Sequence, residues 1–482
     1  MKTNAALIPV LLGLALGLAA RPRPAQTVEP DRETDPAVLR KLEWFKDAKF
    51  GLMMHWGPYS QWGVVESWSI CSEDEPWCRR SMPNYVEYKK AYENLPRTFN
   101  PTKFDPAKWA AAAKAAGMRY VVMTTKHHDG FTMYDTKQTD YRITGPGVPF
   151  RTNARADVFR AVVDAFRAQG FGIGAYFSKP DWHHPDFWAP EWATPDRNVN
   201  YSIDRYPERW QRFRDFTFRQ IEELVTGYGP LDILWLDGGW VRPQPMIEVA
   251  PGTFVHNPKN MDIDMPRIAA MARSRQPGLL VVDRTVTGRY ENYRTPEQEV
   301  PDKPLPYPWE TCMTMGTSWS YRPTDAYKPP HRLIHLLVDI VSKGGNLLLN
   351  IGPSPDGEFA PEALDRLQAI GEWMAVNGRA IHGTRPFAPF KEAKTCFTSL
   401  PDGRVFAIYL ADEDESAPPA KLMLFSITPR VGTEVRMLGV AGPVRWERAG
   451  KGVLLTLPER AVKAPPCRHA WVFELRPAPA RG

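Results

Sequence analysis

Residues 231–240 read L-D-I-L-W-L-D-G-G-W, and their reading decides the fold. Leu231–Leu236 is predicted as a buried strand that ends on a carboxylate, Asp237, followed at once by Gly238 and Gly239. A charged side chain at the tip of a buried strand is costly unless it is paired or used. In a chain of alternating strands and helices, the C-terminal ends of the strands are where catalytic groups sit. Trp235 and Trp240 flank the acid, and aromatic faces beside a carboxylate suit a carbohydrate site.

Outward from this stretch the same unit repeats. Phe50–Trp56 reads as a strand. Asp105 and Pro106 then supply an N-cap and a first helical position for a helix with body Lys108–Ala116, closed by Gly117. Strand Met118–Thr125 follows, then helix Asp157–Gln169, strand Phe171–Phe177, and helix Glu208–Thr226 ahead of Leu231–Leu236. Beyond it come helix Asp264–Arg275, strand Leu279–Asp283, helix His331–Ser342, strand Asn346–Ile351 and helix Pro361–Asn377. Short continuous apolar strands alternating with helices argue for a parallel sheet covered by helices. No G-x-G-x-x-G follows the first strand, which disfavours a dinucleotide fold. The expected architecture is a (β/α)8-type barrel, TIM-like whether regular or imperfect, with the long insert 57–103 as a loop on the catalytic face. The polar, proline-containing residues 27–40 read as a linker.

The grammar changes after about Pro386. Residues 404–411, 421–427, 434–440, 451–457 and 470–475 read as short strands between Pro, Gly and charged turns, the pattern of a small β-sandwich. A structural cap on the barrel is the plainer reading of this part, and carbohydrate binding the sharper one. The division expected is a signal peptide over 1–26, a catalytic barrel domain over 27–390 and a C-terminal sandwich over 391–482.

Composition narrows the function. Of 482 residues, 43% are hydrophobic and 24% charged, as in ordinary globular proteins. The 48 prolines imply long, stiff loops, and the 17 tryptophans fit either a large aromatic core or a sugar site. A net charge of +6 with no basic run speaks against nucleic acid as a partner. Lys2, the apolar run Ala5–Ala20 and the stop Arg21-Pro22-Arg23-Pro24 form the pattern of a secretory signal, too short for a comfortable membrane span. Export is therefore expected, with no membrane partner once the signal is removed. Export also permits disulfides. Cys71 and Cys78 share a loop and are close enough in sequence to bridge, while the count of five leaves at least one cysteine over.

Polar groups recur at successive strand ends: His55-Trp56, then Lys126-His127-His128-Asp129, then Tyr176-Phe177-Ser178 with Asp181-Trp182-His183-His184, then Asp237, then Asp283-Arg284. In a barrel these converge on one pocket. No metal site is expected, because the histidine pairs are sequence neighbours and alternate sides on an extended chain, and no H-E-x-x-H helix is present. Imidazoles that donate and accept suit sugar hydroxyls better. Glycoside hydrolysis needs two carboxyl groups. Asp237 is one, and Glu297, Glu299 and Glu310 are candidates for the other.

The segments H-W-G (55–57), K-H-H-D-G-F (126–131), L-W-L-D-G-G-W (234–240), T-P-E-Q (295–298), P-W-E-T-C-M-T-M-G-T-S-W (308–319) and N-L-L-L-N-I-G-P-S-P-D-G (346–357) resemble the α-L-fucosidases of glycoside hydrolase family 29. The resemblance runs from about 40 to 390. It implies a retaining exo-hydrolase of terminal α-L-fucosyl residues, acting on fucosylated glycans without a cofactor, and it is compatible with a homo-oligomer. It gives Asp237 the nucleophile's position and His55, His127, His128 and Trp235 those of residues holding the fucose hydroxyls. It places Arg284 against the site carboxylates and Trp319 on the apolar side of the sugar. The spacing from Arg284 favours Glu297 as acid/base, with Glu310 as runner-up. Trp77 matches the aromatic half of a Glu-Trp pair in the first loop, but Pro76 stands where the family has Glu, and Glu66 or Glu75 is the substitute. The rival readings are another barrel exo-glycosidase, one cleaving galactosides for instance, and an inactive carbohydrate-binding protein.

Overall fold

In the computed structural model, residues 33–71, 78 and 80–476 are described. The expected signal peptide, Glu75, Pro76 and Trp77 lie outside them. The described chain enters through helix α1 (Pro36–Ala48), whose N-cap Asp35 accepts the N–H of Ala37. Val38, Leu42 and Phe45 are buried on one face of this helix, the spacing of an amphipathic stripe. That face plugs the N-terminal end of the sheet, where Phe45 stacks on Tyr293 with ring centres 4.1 Å apart. The expected linker over 27–40 is corrected here. Its last five residues are helical, because the apolar spacing outweighs the polar composition.

Seven strands follow: β1 (Phe50–Met54), β2 (Tyr120–Lys126), β3 (Gly172–Ser178), β4 (Ile233–Asp237), β5 (Leu280–Asp283), β6 (Glu310–Thr314) and β7 (Asn346–Ile351). They form one parallel sheet in the order β5-β4-β3-β2-β1-β7-β6. Six of them match strands expected from sequence to within a few residues. β6 is an addition, since E-T-C-M-T lacks the apolar run that marks a strand. Helices Pro106–Ala115, Val158–Ala168, Pro207–Gly227, Met265–Arg275, Pro330–Ser342 and Pro361–Asn377 alternate with the strands and bury apolar faces.

The barrel is imperfect at one seam. β5 and β6 are the edges of the sheet, and no ladder joins them. The segment between them fills the gap with isolated bridges, Val282 to Glu291 on one side, Arg294 to Trp309 and Glu297 to Cys312 on the other. Backbone hydrogen bonds from Asn292 N–H to Val281 and from Glu310 N–H to Arg294 carry the closure. Residues 290–298 therefore serve as an irregular eighth stave.

Alternation along the strands sorts side chains into two cores. Met53, Tyr120, Val122, Tyr176, Ile233, Trp235, Leu280, Val282, Cys312 and Leu348 fill the interior with the face of α1. The intervening residues, such as Leu52, Val121, Leu234, Leu236, Leu347 and Leu349, join the outer core against the helices. Two further elements ride on the C-terminal side of the barrel. The insert after β1 contributes the short turn Glu66–Ile70 and helix Tyr85–Glu93, and β4 is followed by a hairpin, Met246–Ala250 with Thr253–His256.

The C-terminal part holds a five-stranded and a three-stranded antiparallel sheet around their own core. Its first strand, Arg385–Glu392, begins ahead of residue 391. Phe406, Ile408, Leu410 and Val472 of the larger sheet join the barrel's outer core. Trp373 of the last barrel helix donates its indole N–H to the carbonyl of Ala470 at 2.9 Å.

Candidate functional site

Interior parity delivers the site. On β4, Ile233 and Trp235 face the barrel interior, so Asp237 faces it too, at the strand's C-terminal tip. The chain then leaves sharply: a Cβ on Gly238 would lie 2.3 Å from the Pro180 ring, and one on Gly239 would lie 1.9 Å from the Thr285 hydroxyl. By the same parity, His55 continues the line of Met53, Ser178 that of Tyr176, Asn350 that of Leu348, and Glu310 that of Cys312. The C-terminal ends of these strands open on a cavity of about 550 Å³ whose lining includes His55, Glu66, Trp68, His127, His128 and Tyr176. The rest of that lining includes Trp235, Asp237, Trp240, Arg284, Glu297 and Trp319.

Asp237 is a partly buried carboxylate held by two side-chain donors. Tyr176 donates its hydroxyl to Oδ2 at 2.7 Å, and Arg284 Nη1 donates to Oδ1 at 3.1 Å. Burial pushes this carboxyl up, but the Arg284 charge first and the Tyr176 hydroxyl after it outweigh burial and hold the group well below the usual carboxylate range. Asp237 is thus ionised across ordinary pH.

Arg284 is shared. Its Nη2 donates to Glu297, its Nε to the Thr295 hydroxyl at 3.2 Å, and its guanidinium lies over Trp235, 5.1 Å from the ring centre. One planar fork therefore ties two carboxylates, a recognition lysine would not reproduce. The Glu297 side chain is 42% exposed at the rim, against 15% for Asp237. Glu310 lies elsewhere. It is fully buried behind the pocket, accepting from the Tyr120 hydroxyl at 2.6 Å and the Trp235 indole at 3.2 Å. Burial raises its carboxyl to about 7. The runner-up acid/base is corrected on this ground: Glu310 does not line the cavity. Trp235 consequently spends its N–H on Glu310 and presents its ring to the pocket.

Three histidines present one nitrogen each. His55 Nδ1 meets Asn350 Oδ1 at 2.8 Å, and Asn350 gives its amide N–H to the Trp319 carbonyl at 2.7 Å. The amide oxygen accepts, so His55 carries its proton on Nδ1 and its lone pair on Nε2. Ser178 donates its hydroxyl proton to the Pro180 carbonyl at 3.1 Å and so accepts from His128 Nδ1. His127 Nδ1 is held by the Ser67 hydroxyl at 2.6 Å. Burial is the main cause that keeps all three rings neutral, with His55 and His128 each lowered to about 4. Nε2 acceptors on His55 and His128 fit ligand hydroxyls.

The expectation that His127 and His128 face opposite sides is overturned. β2 ends at Lys126, and the next residues turn through a hydrogen bond from Gly130 N–H to the His127 carbonyl. Alternation stops with the strand, and the two rings lie 4.3 Å apart. Among the described residues, His127, His128 and Asp237 form a group of three ligand atoms within 4.8 Å of one another.

Other strand-end residues do not join. Asp181 accepts the N–H groups of His183 and His184 in a turn that carries both away, His183 onto Tyr141 and His184 onto Phe216. Asp129 accepts from Tyr92, and Asp283 pairs with Lys179. Tyr176 and Ser178, from the strand-end set, hold Asp237 and His128, while Ser67 and Asn350 hold His127 and His55 from outside that set. Of the latter two, Asn350 carries a signal, as an amide inside the apolar strand N-L-L-L-N-I. Of the two substitutes named for the first-loop glutamate, Glu75 lies outside the described residues and Glu66 lines the cavity. It accepts the Ser320 N–H at 2.7 Å, and burial raises it to about 7.

Comparisons with known proteins agree over nearly the whole chain. Residues 19–379 match the family model described as Alpha-L-fucosidase, and residues 393–476 match that described as Alpha-L-fucosidase C-terminal domain. Plasma alpha-L-fucosidase of Homo sapiens is 29% identical over 465 residues, covering 90% of this chain and 89% of the relative. Among solved structures, Alpha-L-fucosidase isoenzyme 1 from Paenibacillus thiaminolyticus is 32% identical at a TM-score of 0.72, covering 92% of this chain and 100% of that one. Thermotoga maritima alpha-fucosidase, solved in complex with fucose, is 28% identical at a TM-score of 0.69, covering 90% and 96%.

Proposed function

Since the chain belongs to the α-L-fucosidase family, we propose that its pocket performs a retaining double displacement on terminal α-L-fucosyl residues of glycans. Asp237 attacks the anomeric carbon as the glycosidic C–O bond breaks, and Glu297 gives its proton to the departing oxygen. Water then attacks the same carbon, Glu297 takes its proton, and the bond to Asp237 breaks. The observation that carries this reading is the Arg284 fork. It keeps the buried carboxylate ionised and ties the rim carboxyl beside it, an arrangement that favours the close pair of a retaining enzyme over the wide pair of an inverting one. His55, His127 and His128 receive fucose hydroxyls, Trp235 offers a ring face, and Trp319 packs on the apolar side. Trp77, with Glu66 in the place of the first-loop glutamate, completes the proposed sugar contacts.

Plasma alpha-L-fucosidase is among the relatives, and no helix of the described residues is long and apolar enough to cross a membrane. The plasma relative supports export through a signal over 1–26, ahead of a catalytic domain over 27–390 and a β-domain over 391–482. The test is turnover of an aryl α-L-fucoside beside aryl galactosides, with the anomer of the first product read by NMR. Fucoside cleavage giving the α-anomer is expected. Preference for a galactoside, or a β-anomer released first, overturns the reading.

A further inference from the structure

We infer that His127, His128 and Asp237 also form a binding site for a divalent transition metal of the zinc class, and that metal there excludes the sugar. The binding stands on the geometry alone. The exclusion rests on the function proposed above.

The three ligand atoms lie within 4.8 Å of one another on the pocket face. Each imidazole has its Nδ1 held from behind by a serine, Ser67 or Ser178, the outer-shell support that orients histidine ligands. With Nδ1 bonded to Ser178, His128 Nε2 is the ring nitrogen nearest Asp237, 3.9 Å from Oδ2. In the tautomer that protonates Nδ1, Nε2 offers a lone pair beside the carboxylate, and a cation between the two is stabilised by both. Zinc bonds of about 2.0–2.2 Å at tetrahedral angles set ligand atoms roughly 3.4 Å apart, so metal binding draws His128 and Asp237 together by about half an ångström from their 3.9 Å and closes the wider spacings, up to 4.8 Å, by more. Two imidazoles and one carboxylate leave the pocket side of the metal open, and this donor set suits zinc or copper, not magnesium or calcium.

The groups around the site set its strength. Arg284 donates to Asp237 at 3.1 Å and opposes a dication, though Glu297 shares its charge. Tyr176 keeps one lone pair of Oδ2 occupied. The site is therefore exchangeable and not that of a resident cofactor. A metal held there blocks the anomeric carbon's approach to Asp237 and takes the nitrogen that receives a hydroxyl from the sugar.

The experiment titrates Zn2+ into the full chain by calorimetry, with and without saturating L-fucose, and measures hydrolysis of an aryl α-L-fucoside at matched free Zn2+. One site is expected. It is displaced by fucose, lost in His128→Gln and in Asp237→Asn, and insensitive to Mg2+. The apparent KM rises in proportion to free Zn2+ while kcat holds. Two variants guard against misfolding, and each must show the cooperative melt of the parent before its loss of binding counts. Zn2+ binding that fucose and both variants leave unchanged overturns the inference, as does no binding at all. A chain that cleaves fucoside but binds no Zn2+ overturns only this inference. A chain that binds Zn2+ through His128 but cleaves no fucoside overturns only the proposed function.

Discussion

Asp237 and Glu297 differ in what surrounds them, and that difference predicts how each fails. Removing the nucleophile in Asp237→Ala lowers kcat on an aryl fucoside by about 10⁴-fold or more, measured against the folded parent. Glu297→Ala loses roughly 10²–10⁴-fold, and added azide restores turnover because an external anion needs no base. Glu310→Ala gains nothing from azide, since that carboxyl only holds Tyr120 and Trp235. Glu310 has a different signature. Its ordinary value is 4.5, and burial raises it to about 7 in the fold. Between those values the folded state keeps a proton that the unfolded chain has lost, so Glu310 makes stability fall as pH rises. Glu310→Gln removes that contribution, and its urea midpoint declines less than the parent's between pH 5 and 7. Asp237 was legible in sequence because a lone carboxylate ended an apolar run. Of the supports, Ser178 stands at a strand end and Asn350 inside an apolar strand, whereas Ser67 had no signal, because a hydrogen bond from behind an imidazole has no sequence spacing.

At the scale of elements, the strands that announced themselves carry continuous apolar runs. β6 is equally buried but did not, because Glu310, Thr311 and Thr314 interrupt its apolar residues. α1 was hidden for the opposite reason: its stripe of Val38, Leu42 and Phe45 is interrupted by charged residues that face solvent. Phe45 stacks on Tyr293 and meets Tyr120 edge-on at 5.9 Å. Phe45→Ala opens a cavity under the barrel and costs about 3–5 kcal/mol in urea unfolding. Unchanged stability would show that α1 is peripheral.

Across the whole molecule, one face of the larger C-terminal sheet packs into the barrel's outer core, a contact residue patterning could not reveal because the partners lie far apart in sequence. Helix Pro330–Ser342 sets His331 against the Ala411 carbonyl at 2.8 Å and His335 against the His469 carbonyl at 2.9 Å. Burial first, and then its histidine neighbours, lower His335 to about 4 from an ordinary 6.5. The unfolded chain therefore takes up a proton that the fold refuses, and stability falls as pH drops from about 6.5 toward 4. His335→Gln keeps a donor for the carbonyl and loses the titration, so its melting temperature falls less than the parent's between pH 7 and 5. The seam between β5 and β6 has a consequence of another kind. Glu297 rides on a stave pinned by single bridges, so insertions or deletions there re-aim the proton donor while every ladder in the sheet stays intact. That makes residues 284–309 the natural place for evolution, or a designer, to change which leaving groups the enzyme accepts without paying in foldability.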